Sequence, residues 1–322
     1  MKEDKISVII PSYNNARFLG EAIKSIINQT YPNLEIIIVE GNSSDSSLEI
    51  VNGYAKKDSR IVVIVQDRNY GVSKARNDGI LASTGKFVAI LDSDDVMLPG
   101  RIDELYQEII KNDNYGLVHS DVFVINENGR IIGKIIGKEQ YSQGYIRGEV
   151  LRRRGCHIGY PMFRKKFLDK VGYYDESLRG GEDYDLYSRI TYEYPVAYVR
   201  KPLILYRRHG SNASSKLNLM VSHYKKYLDK TFENDTKLSY SSIKNEAYAH
   251  YYIDKINLEF QDNKRSFLIN VIPGLLHSLQ KDRITVFNMI FPVLRILFYR
   301  INTIIRKKIA AYTNTIYTQV GW

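Results

Sequence analysis

The first hundred residues alternate short apolar runs with segments predicted to be helical. Four continuous runs rich in Val and Ile, at 6–10, 34–39, 61–65 and 87–91, are typical of buried strands. Helices are predicted between them at 17–28, 48–56 and 73–83, and the first of these has apolar residues at helical spacing. Strands alternating with helices indicate a parallel sheet covered on both faces. Ligands bind such sheets at the carboxyl ends of their strands.

The pattern changes after residue 100. Residues 116–136 predict an antiparallel hairpin that turns at Asn128-Gly129. A helix-rich section is predicted from about 161 to 195, followed by extended chain over 196–210. From about 214 onward the sequence is helical in character. We therefore expect an α/β region at 1–213, with halves at 1–100 and 101–213, and a helical C-terminal region at 214–322.

Composition narrows the class of protein. The 322 residues have ordinary globular composition, enough for one large domain with an appendage or for two domains. Cys156 is the sole cysteine, which excludes an internal disulfide framework and favours a reducing compartment. We expect Cys156 itself to be a packing residue. The start MKEDKISVII mixes acids with lysines around a five-residue apolar run, unlike a secretory signal. We expect a cytoplasmic protein.

The basic charge lies mostly in the tail. Residues 263–322 carry nine Lys and Arg against one acid, so that they hold +8 of the net charge of +10. The segment 284–306 predicts a helix with a wide apolar face, bent at Pro292, but its uninterrupted apolar runs are too short for a simple spanning helix. Contact of 284–308 with an anionic membrane surface is favoured over nucleic-acid binding. Docking on the rest of the chain and pairing with a second copy stay open.

Three carboxylates crowd the end of the fourth predicted strand, in LDSDD at 91–95. Like charges about 4 Å apart repel by roughly 1 kcal/mol in water and about 4 kcal/mol at an effective dielectric near 20. In extended chain, Asp92 and Asp94 project to the same side, about 6.6 Å apart. Both could reach one divalent cation, Mn²⁺ or Mg²⁺. Taken alone, the acids are equally consistent with a solvated turn that caps the next helix.

Four ordered blocks put these acids in context. They are SVIIPSYNNARFLGEAIKSIINQTYPNLEIIIVEGNSSD (7–45), NYGVSKARNDGILASTGKFVAILDSDD (69–95), VGYYDESLRGGEDYDLYSR (171–189) and YRRHGSNAS (206–214). Over about residues 5–215 the chain resembles glycosyltransferase family 2, inverting enzymes with the GT-A fold. The resemblance implies a mostly parallel, Rossmann-like sheet covered by helices. It makes 1–100 the nucleotide-binding half and 101–213 the acceptor half of a catalytic domain.

The resemblance also implies roles for individual residues. Asp92 and Asp94 match the D-x-D motif of the family, which together with His209 would hold Mn²⁺ or Mg²⁺ at the donor diphosphate. Asp183 matches the base that takes the proton of the acceptor hydroxyl, and Glu182 would orient it or bind the acceptor. The remaining implied nucleotide contacts are Pro11, Tyr13, Glu40, Asp67, Arg76 and Ser93.

Purely structural roles for these residues stay open as alternatives. Tyr13 could be a packing residue, and Arg76 could hold the Asp cluster or lie on a solvated helix face. Glu182 and Asp183 could simply favour the N-terminal dipole of a helix, and Asp95 is expected to cap a helix or support its loop. Residues 155–167 are expected to line the acceptor pocket, while Arg207 or Arg208 could bind phosphate.

The nucleobase of the sugar donor is less firmly indicated. The family usually has Asp-Asp-Gly-Ser where this chain has Glu40-Gly41-Asn42-Ser43. Gly41 thus replaces an acid that often reads uracil, although a UDP donor is still favoured.

We therefore expect a metal-dependent inverting glycosyltransferase at the inner face of the cell membrane. It would move a hexosyl or N-acetylhexosaminyl group from a nucleotide sugar to a glycan or lipid-linked glycan in cell-surface polysaccharide synthesis. A nucleotidyltransferase would need a Gly-rich phosphate loop where this chain has PSYNNARF. A dehydrogenase would need G-x-G-x-x-G at the same place. A membrane-associated scaffold with a retained fold is disfavoured by the acids at 92, 94 and 183.

Overall fold

The computed structural model divides into two units, Met1–Ser241 and Ser242–Trp322. It describes residues 3–137, 142–152, 158–210, 212 and 217–234 of the first unit, and 243, 244, 246–248 and 251 of the second. The predicted membrane segment 284–308 and Cys156 lie outside the described residues. Within those ranges, no helix has the length and apolar character needed to cross a membrane.

The sheet of the first unit is mixed. Its strands are β1 (Ile6–Ser12), β2 (Leu34–Glu40), β3 (Ile61–Val65), β4 (Phe87–Ile90), β5 (Val96–Met97), β6 (Leu117–Asn126), β7 (Ile131–Ile135), β8 (Gly159–Arg164) and β9 (Val196–Arg208). They lie in the order β3-β2-β1-β4-β8-β6-β9-β5, with β7 paired to β6. The strands β3, β2, β1 and β4 are parallel, as predicted. The antiparallel hairpin of β6 and β7 is confirmed as well.

The helix-rich interpretation of 161–195 is wrong at its start. Strand β8 occupies Gly159–Arg164 and lies in the middle of the sheet, antiparallel to both β4 and β6. Met162 and Phe163 are fully buried on opposite faces. Six residues around a proline are too few to establish a period, so only the neighbouring strands reveal this one.

Helices cover both faces of the sheet. They are α1 (Ala16–Ile27), α2 (Ser47–Ala55), α3 (Val72–Ala82), α4 (Arg101–Ile109), α5 (Arg147–Arg152), α6 (Lys165–Val171), α7 (Glu182–Glu193) and α8 (Leu217–Glu233). Side chains of β1 alternate between two cores, because successive residues of a strand point to opposite faces. Ile6, Val8 and Ile10 pack with α1, α2 and α4, whereas Ile9 packs with α3 and the core beneath α7. The predicted two-sided covering is confirmed.

Close packing of α3 on the sheet depends on a glycine. A Cβ atom at Gly79 would lie 2.4 Å from Cγ2 of Ile9, so the helix approaches β1 more closely than any larger residue would allow. This approach fixes the distance of α3 from the strand ends, where Arg76 is located one turn earlier on the same helix.

A buried carboxylate ties the opposite end of the sheet together. Glu35 on β2 accepts hydrogen bonds from Ser7, from the backbone N–H groups of Thr84 (2.6 Å) and Gly85 (3.1 Å), and pairs with Lys5 at 2.9 Å. Burial alone would raise the pKa of Glu35, but the bonds from Ser7, Lys5 and Thr84 outweigh it and lower the pKa to about 2. The ionised carboxylate therefore stabilises the turn that leads into β4.

Candidate active site

A cleft of about 800 Å³ opens at the carboxyl ends of β1 and β4, where the parallel sheet predicts a ligand site. The residues at its walls come from both halves of the first unit. Nine of the eleven predicted site residues line it: Pro11, Tyr13, Arg76, Asp92, Ser93, Asp94, Glu182, Asp183 and His209. The fold thus assembles side chains that are up to about two hundred positions apart in sequence.

Arg76 connects the two acidic segments. Its guanidinium donates to Asp92 Oδ1 at 2.9 Å and to Asp183 Oδ1 at 3.0 Å, and Glu182 Oε1 lies at 3.5 Å. The Arg76 side chain is only 7% exposed and lies over the ring of Tyr174 at 5.1 Å. Of the two positions that the sequence left open for Arg76, the structure shows the one in which it holds the acids. A position on a solvated helix face is excluded. One buried cation therefore balances three carboxylates that would otherwise repel one another.

Asp183 combines a deep position with access to the cleft. It is the second residue of α7, which begins right after Gly180 and Gly181, and its side chain keeps 39% of its surface exposed. Burial raises the pKa of Asp183 to about 7, with the charges of Glu182 and Asp92 adding to the rise and Arg76 opposing it. A carboxyl with a pKa near neutrality is suited to accept a proton from a substrate hydroxyl.

Gly180 and Gly181 precede Glu182 and Asp183, and both suit the local backbone and packing. Gly181 has a positive φ of +79°, a conformation that favours glycine. A Cβ on Gly180 would lie 3.0 Å from the sulfur of Met220 on α8. The glycines thus let the start of α7 lie close to α8.

Asp94 faces His209 across the cleft floor. Asp94 Oδ2 lies 2.8 Å from His209 Nε2 and accepts a hydrogen bond from Asn212 Nδ2 at 3.2 Å. Burial, together with the charge of Asp92, raises the pKa of Asp94, and the bond from His209 partly offsets this rise. Asp94 is therefore a buried carboxyl whose ionised form a nearby cation would stabilise.

The predicted metal ligands are not gathered into one cluster. In the described part of the chain, no group of three or more His, Cys, Asp and Glu side chains is placed to hold a metal ion. Asp92 is paired with Arg76, whereas Asp94 is paired with His209. Each carboxylate is thus already bound to a nearby cationic or donor group.

Asp95 and Arg207 are structural in this arrangement. Asp95 is buried, accepts a hydrogen bond from the hydroxyl of Tyr160, and accepts another from the backbone N–H of Arg207 at 2.6 Å. The Arg207 side chain is directed to Glu21 at 2.6 Å and to the backbone oxygen of Asp94 at 2.8 Å. The expectation that Asp95 supports its loop agrees with these contacts. A phosphate contact by Arg207 does not, because its guanidinium is buried and already bonded.

Glu40 and Asp67 do not line the cleft, contrary to expectation. Glu40 is fully buried, and its carboxylate accepts bonds from the backbone and hydroxyl of Ser43, so it stabilises the turn after β2. Asp67 is exposed outside the cleft, where its backbone oxygen accepts a bond from Asn42. Gly41 and Gln66, their neighbours, are the residues that reach the cleft wall.

Three tyrosines of the cleft wall were not predicted as site residues. Tyr160, Tyr174 and Tyr187 line the cleft, and burial raises the pKa of each well above its usual value. Isolated tyrosines in a sequence with 26 of them carry no local signal. The only hint was the predicted pocket-lining role of 155–167, of which Ile158, Gly159, Tyr160 and Pro161 do line the cleft.

The sheet and its acid-lined cleft define a GT-A fold. Residues 1–349 of S. aureus TarS in complex with UDP-GlcNAc superpose with a TM-score of 0.65 at 19% identity, over 84% of this chain and 79% of that one. The mannosyltransferase PcManGT of Pyrobaculum calidifontis, in complex with GDP-Man and Mn²⁺, gives 0.61 at 15% identity, over 92% and 81%. At these identities, both similarities concern the fold alone.

The chain belongs to glycosyl transferase family 2, whose family model matches residues 7–172. An uncharacterized glycosyltransferase of Methanocaldococcus jannaschii is 34% identical over 210 residues, 64% of this chain and 72% of that protein. The GalNAc(5)-diNAcBac-PP-undecaprenol beta-1,3-glucosyltransferase of Campylobacter jejuni is 29% identical over 255 residues, 77% of this chain and 80% of that protein. The resemblance seen in the motifs is confirmed.

Proposed function

We propose that this glycosyltransferase moves a hexosyl or N-acetylhexosaminyl group from a UDP-sugar to a hydroxyl of a lipid-linked glycan, with inversion at the anomeric carbon. The observation that carries the proposal is the Arg76 guanidinium, which joins Asp92 on the donor side to Asp183 on the acceptor side at 2.9 and 3.0 Å. One cleft thus holds the groups for both halves of the transfer.

Asp183 is the general base in this proposal. Its carboxylate takes the proton of the acceptor hydroxyl as that oxygen attacks the anomeric carbon from the face opposite the leaving diphosphate. A single base on the acceptor side suits direct displacement, which turns an α-linked donor into a β-linked product. Glu182 and Arg76 keep the carboxylate oriented, and Tyr174 packs beneath the Arg76 guanidinium.

Asp92 and Asp94 would hold a divalent cation, with His209 beside them. Hard carboxylate oxygens suit Mn²⁺ or Mg²⁺, which are usually bound through one or two carboxylates together with substrate phosphates, and both side chains line the cleft. When bound, the cation would supply positive charge to the leaving diphosphate. Mn²⁺ in the PcManGT complex supports this assignment.

The donor and acceptor classes rest on relatives. UDP-GlcNAc in the TarS complex supports a UDP-sugar, and the undecaprenol-linked substrate named for the C. jejuni relative supports a lipid-linked acceptor. Such an acceptor is consistent with work at the cytoplasmic face of the membrane, which the basic, apolar segment 284–308 would contact.

Calorimetric titration of the full chain with UDP, GDP and dTDP, each with and without Mn²⁺, tests the proposal without knowledge of the acceptor. We expect UDP to bind most tightly and Mn²⁺ to strengthen that binding. Tighter binding of GDP or dTDP would contradict the donor assignment, and an absence of binding by all three would contradict the transferase proposal.

A further inference from the structure

Tyr160 adopts a strained backbone conformation at the cleft wall. Its φ is +49°, a region in which a bulky residue is an outlier. The next residue is Pro161, and residues that precede proline are normally restricted to extended conformations. Strain of this kind persists only where surrounding contacts determine the conformation, and it concentrates at functional sites.

Arg101 holds the backbone of Tyr160 from one side. Its guanidinium donates to the carbonyl oxygen of Tyr160 and, at 2.8 Å, to Ser120 Oγ. Arg101 is fully buried and, within the described part of the chain, forms no ion pair. Burial lowers the pKa of Arg101 to about 9, so it is still a cation at neutral pH. A buried cation is thus bonded to a single backbone carbonyl and a hydroxyl, an arrangement that stability alone does not favour.

The Tyr160 hydroxyl holds the acidic turn from the other side. It donates to Asp95 Oδ2, while the other oxygen of Asp95 accepts the backbone N–H of Arg207. The backbone N–H of Asp95 in turn donates to the carbonyl oxygen of Asp92 at 3.1 Å and closes the tight turn 92–95. Tyr160 therefore contacts the closing residue of the turn that carries Asp92 and Asp94.

We propose that Tyr160 is a positioning residue whose hydroxyl fixes Asp95 and thereby sets Asp92 and Asp94 for the metal and the donor diphosphate. The inference rests on the proposed function. Arg101 on the carbonyl and Asp95 on the hydroxyl together keep the residue in its strained conformation. Hydrogen-bond partners of the ligating side chains themselves typically change metal affinity roughly 10- to 100-fold when mutated. Tyr160 acts one bond further out, through Asp95, so we expect an effect near the lower end of that range.

Tyr160→Phe tests the proposal, with Tyr198→Phe as its matched control. Tyr198 is also buried, its hydroxyl also donates to a buried carboxylate, Asp121, and it lies outside the cleft. Mn²⁺ affinity of the full chain in the presence of UDP is measured by electron paramagnetic resonance titration, alongside the melting temperature. We expect both variants to melt at a lower temperature, and Tyr160→Phe alone to bind Mn²⁺ roughly tenfold or more weakly.

The outcomes separate this proposal from the proposed function. Wild-type protein that binds Mn²⁺, together with Tyr160→Phe binding it within twofold of wild type, would overturn the positioning role only. Wild-type protein that binds no Mn²⁺ would overturn the metal part of the proposed function and the positioning role with it. Equal losses of affinity in both variants would show a general effect of destabilisation and would also overturn the role.

A second pair of variants tests the strain. Since glycine adopts positive φ freely, Tyr160→Gly should melt at a higher temperature than Tyr160→Ala, although glycine is otherwise the less stabilising residue. Alanine melting at or above glycine would show that the backbone of Tyr160 is unstrained and would remove that support for the proposal.

Discussion

Removal of Arg76 should change the pH dependence of the reaction more than the binding of either substrate. Arg76→Met keeps the length and packing of the side chain but removes the cation that lies between Asp92 and Asp183. The base then loses its nearest positive charge while Glu182 and Asp92 stay close. Because these neighbours and burial all raise the pKa of Asp183, its carboxyl should stay protonated to higher pH in the variant.

The size of the effect follows from the geometry. Arg76 Nη1 lies 3.0 Å from Asp183 Oδ1, which puts the two charge centres about 4 Å apart, an attraction of about 4 kcal/mol at an effective dielectric near 20. Since 39% of the Asp183 side chain is exposed, solvent screening reduces this figure, and we take roughly 2 kcal/mol. At about 1.4 kcal/mol per pH unit, the acid limb of the profile moves from about pH 7 to between about pH 8 and 9.

Steady-state kcat of wild type and Arg76→Met, measured from pH 5.5 to 9.5 with saturating donor, checks this result. The base acts in its ionised form, so the rate falls as pH drops through the pKa of Asp183. At pH 7 we expect kcat of the variant to be roughly 10- to 30-fold below wild type, with most of the loss recovered at pH 9.5. Lys74→Met is the matched control, because Lys74 pairs with Asp78 on the same helix as Arg76 but outside the cleft, and it should follow the wild-type profile. An unmoved acid limb, or one moved to lower pH, would refute the assignment of Arg76 as the charge partner of the base.

Three further predictions concern stability and location. Glu35→Gln should lower the free energy of unfolding by about 2–3 kcal/mol at pH 7. In urea titrations the difference from wild type should shrink as pH falls from about 4.5 toward 2, where Glu35 becomes protonated. A pH-independent difference would contradict this prediction. Gly79→Ala should cost about 1–3 kcal/mol through overlap with Ile9, whereas Gly53→Ala, with open space around its Cβ, should be neutral or stabilising in the same titration. Deletion of 263–322 should move the protein from the membrane to the soluble fraction after centrifugation, and no change would contradict membrane contact through 284–308.

Local patterns predicted the first half of the fold well. The strands β1 to β4 are short, continuous and apolar, so each one is identifiable without its neighbours. The acids at 92, 94 and 183 and the arginine at 76 stand in motifs with distinct spacing, and the fold brings all four to one cleft.

Long-range contacts explain where prediction failed. Strand β8 is defined by its pairing with β4 and β6, and its own sequence shows no periodicity that predicts a strand. Glu40 is a different case, because a local contact decides it: Ser43, three residues on, donates to its carboxylate from the backbone and the hydroxyl, which the match to the family by position does not reveal. Tyr160 is separated by 65 residues from Asp95 and by 59 from Arg101, so these contacts are visible only once the chain is folded.

The central claim is that Asp183 is the base of a sugar transfer, and Asp183→Asn tests it most directly. Asparagine keeps the shape of the side chain but cannot accept the proton. With UDP-sugar, Mn²⁺ and an undecaprenyl-diphosphate-linked glycan, the rate of UDP release should fall by roughly 10²- to 10⁴-fold, while UDP affinity measured by calorimetry stays within a fewfold of wild type. Equal turnover by wild type and Asp183→Asn would contradict the account.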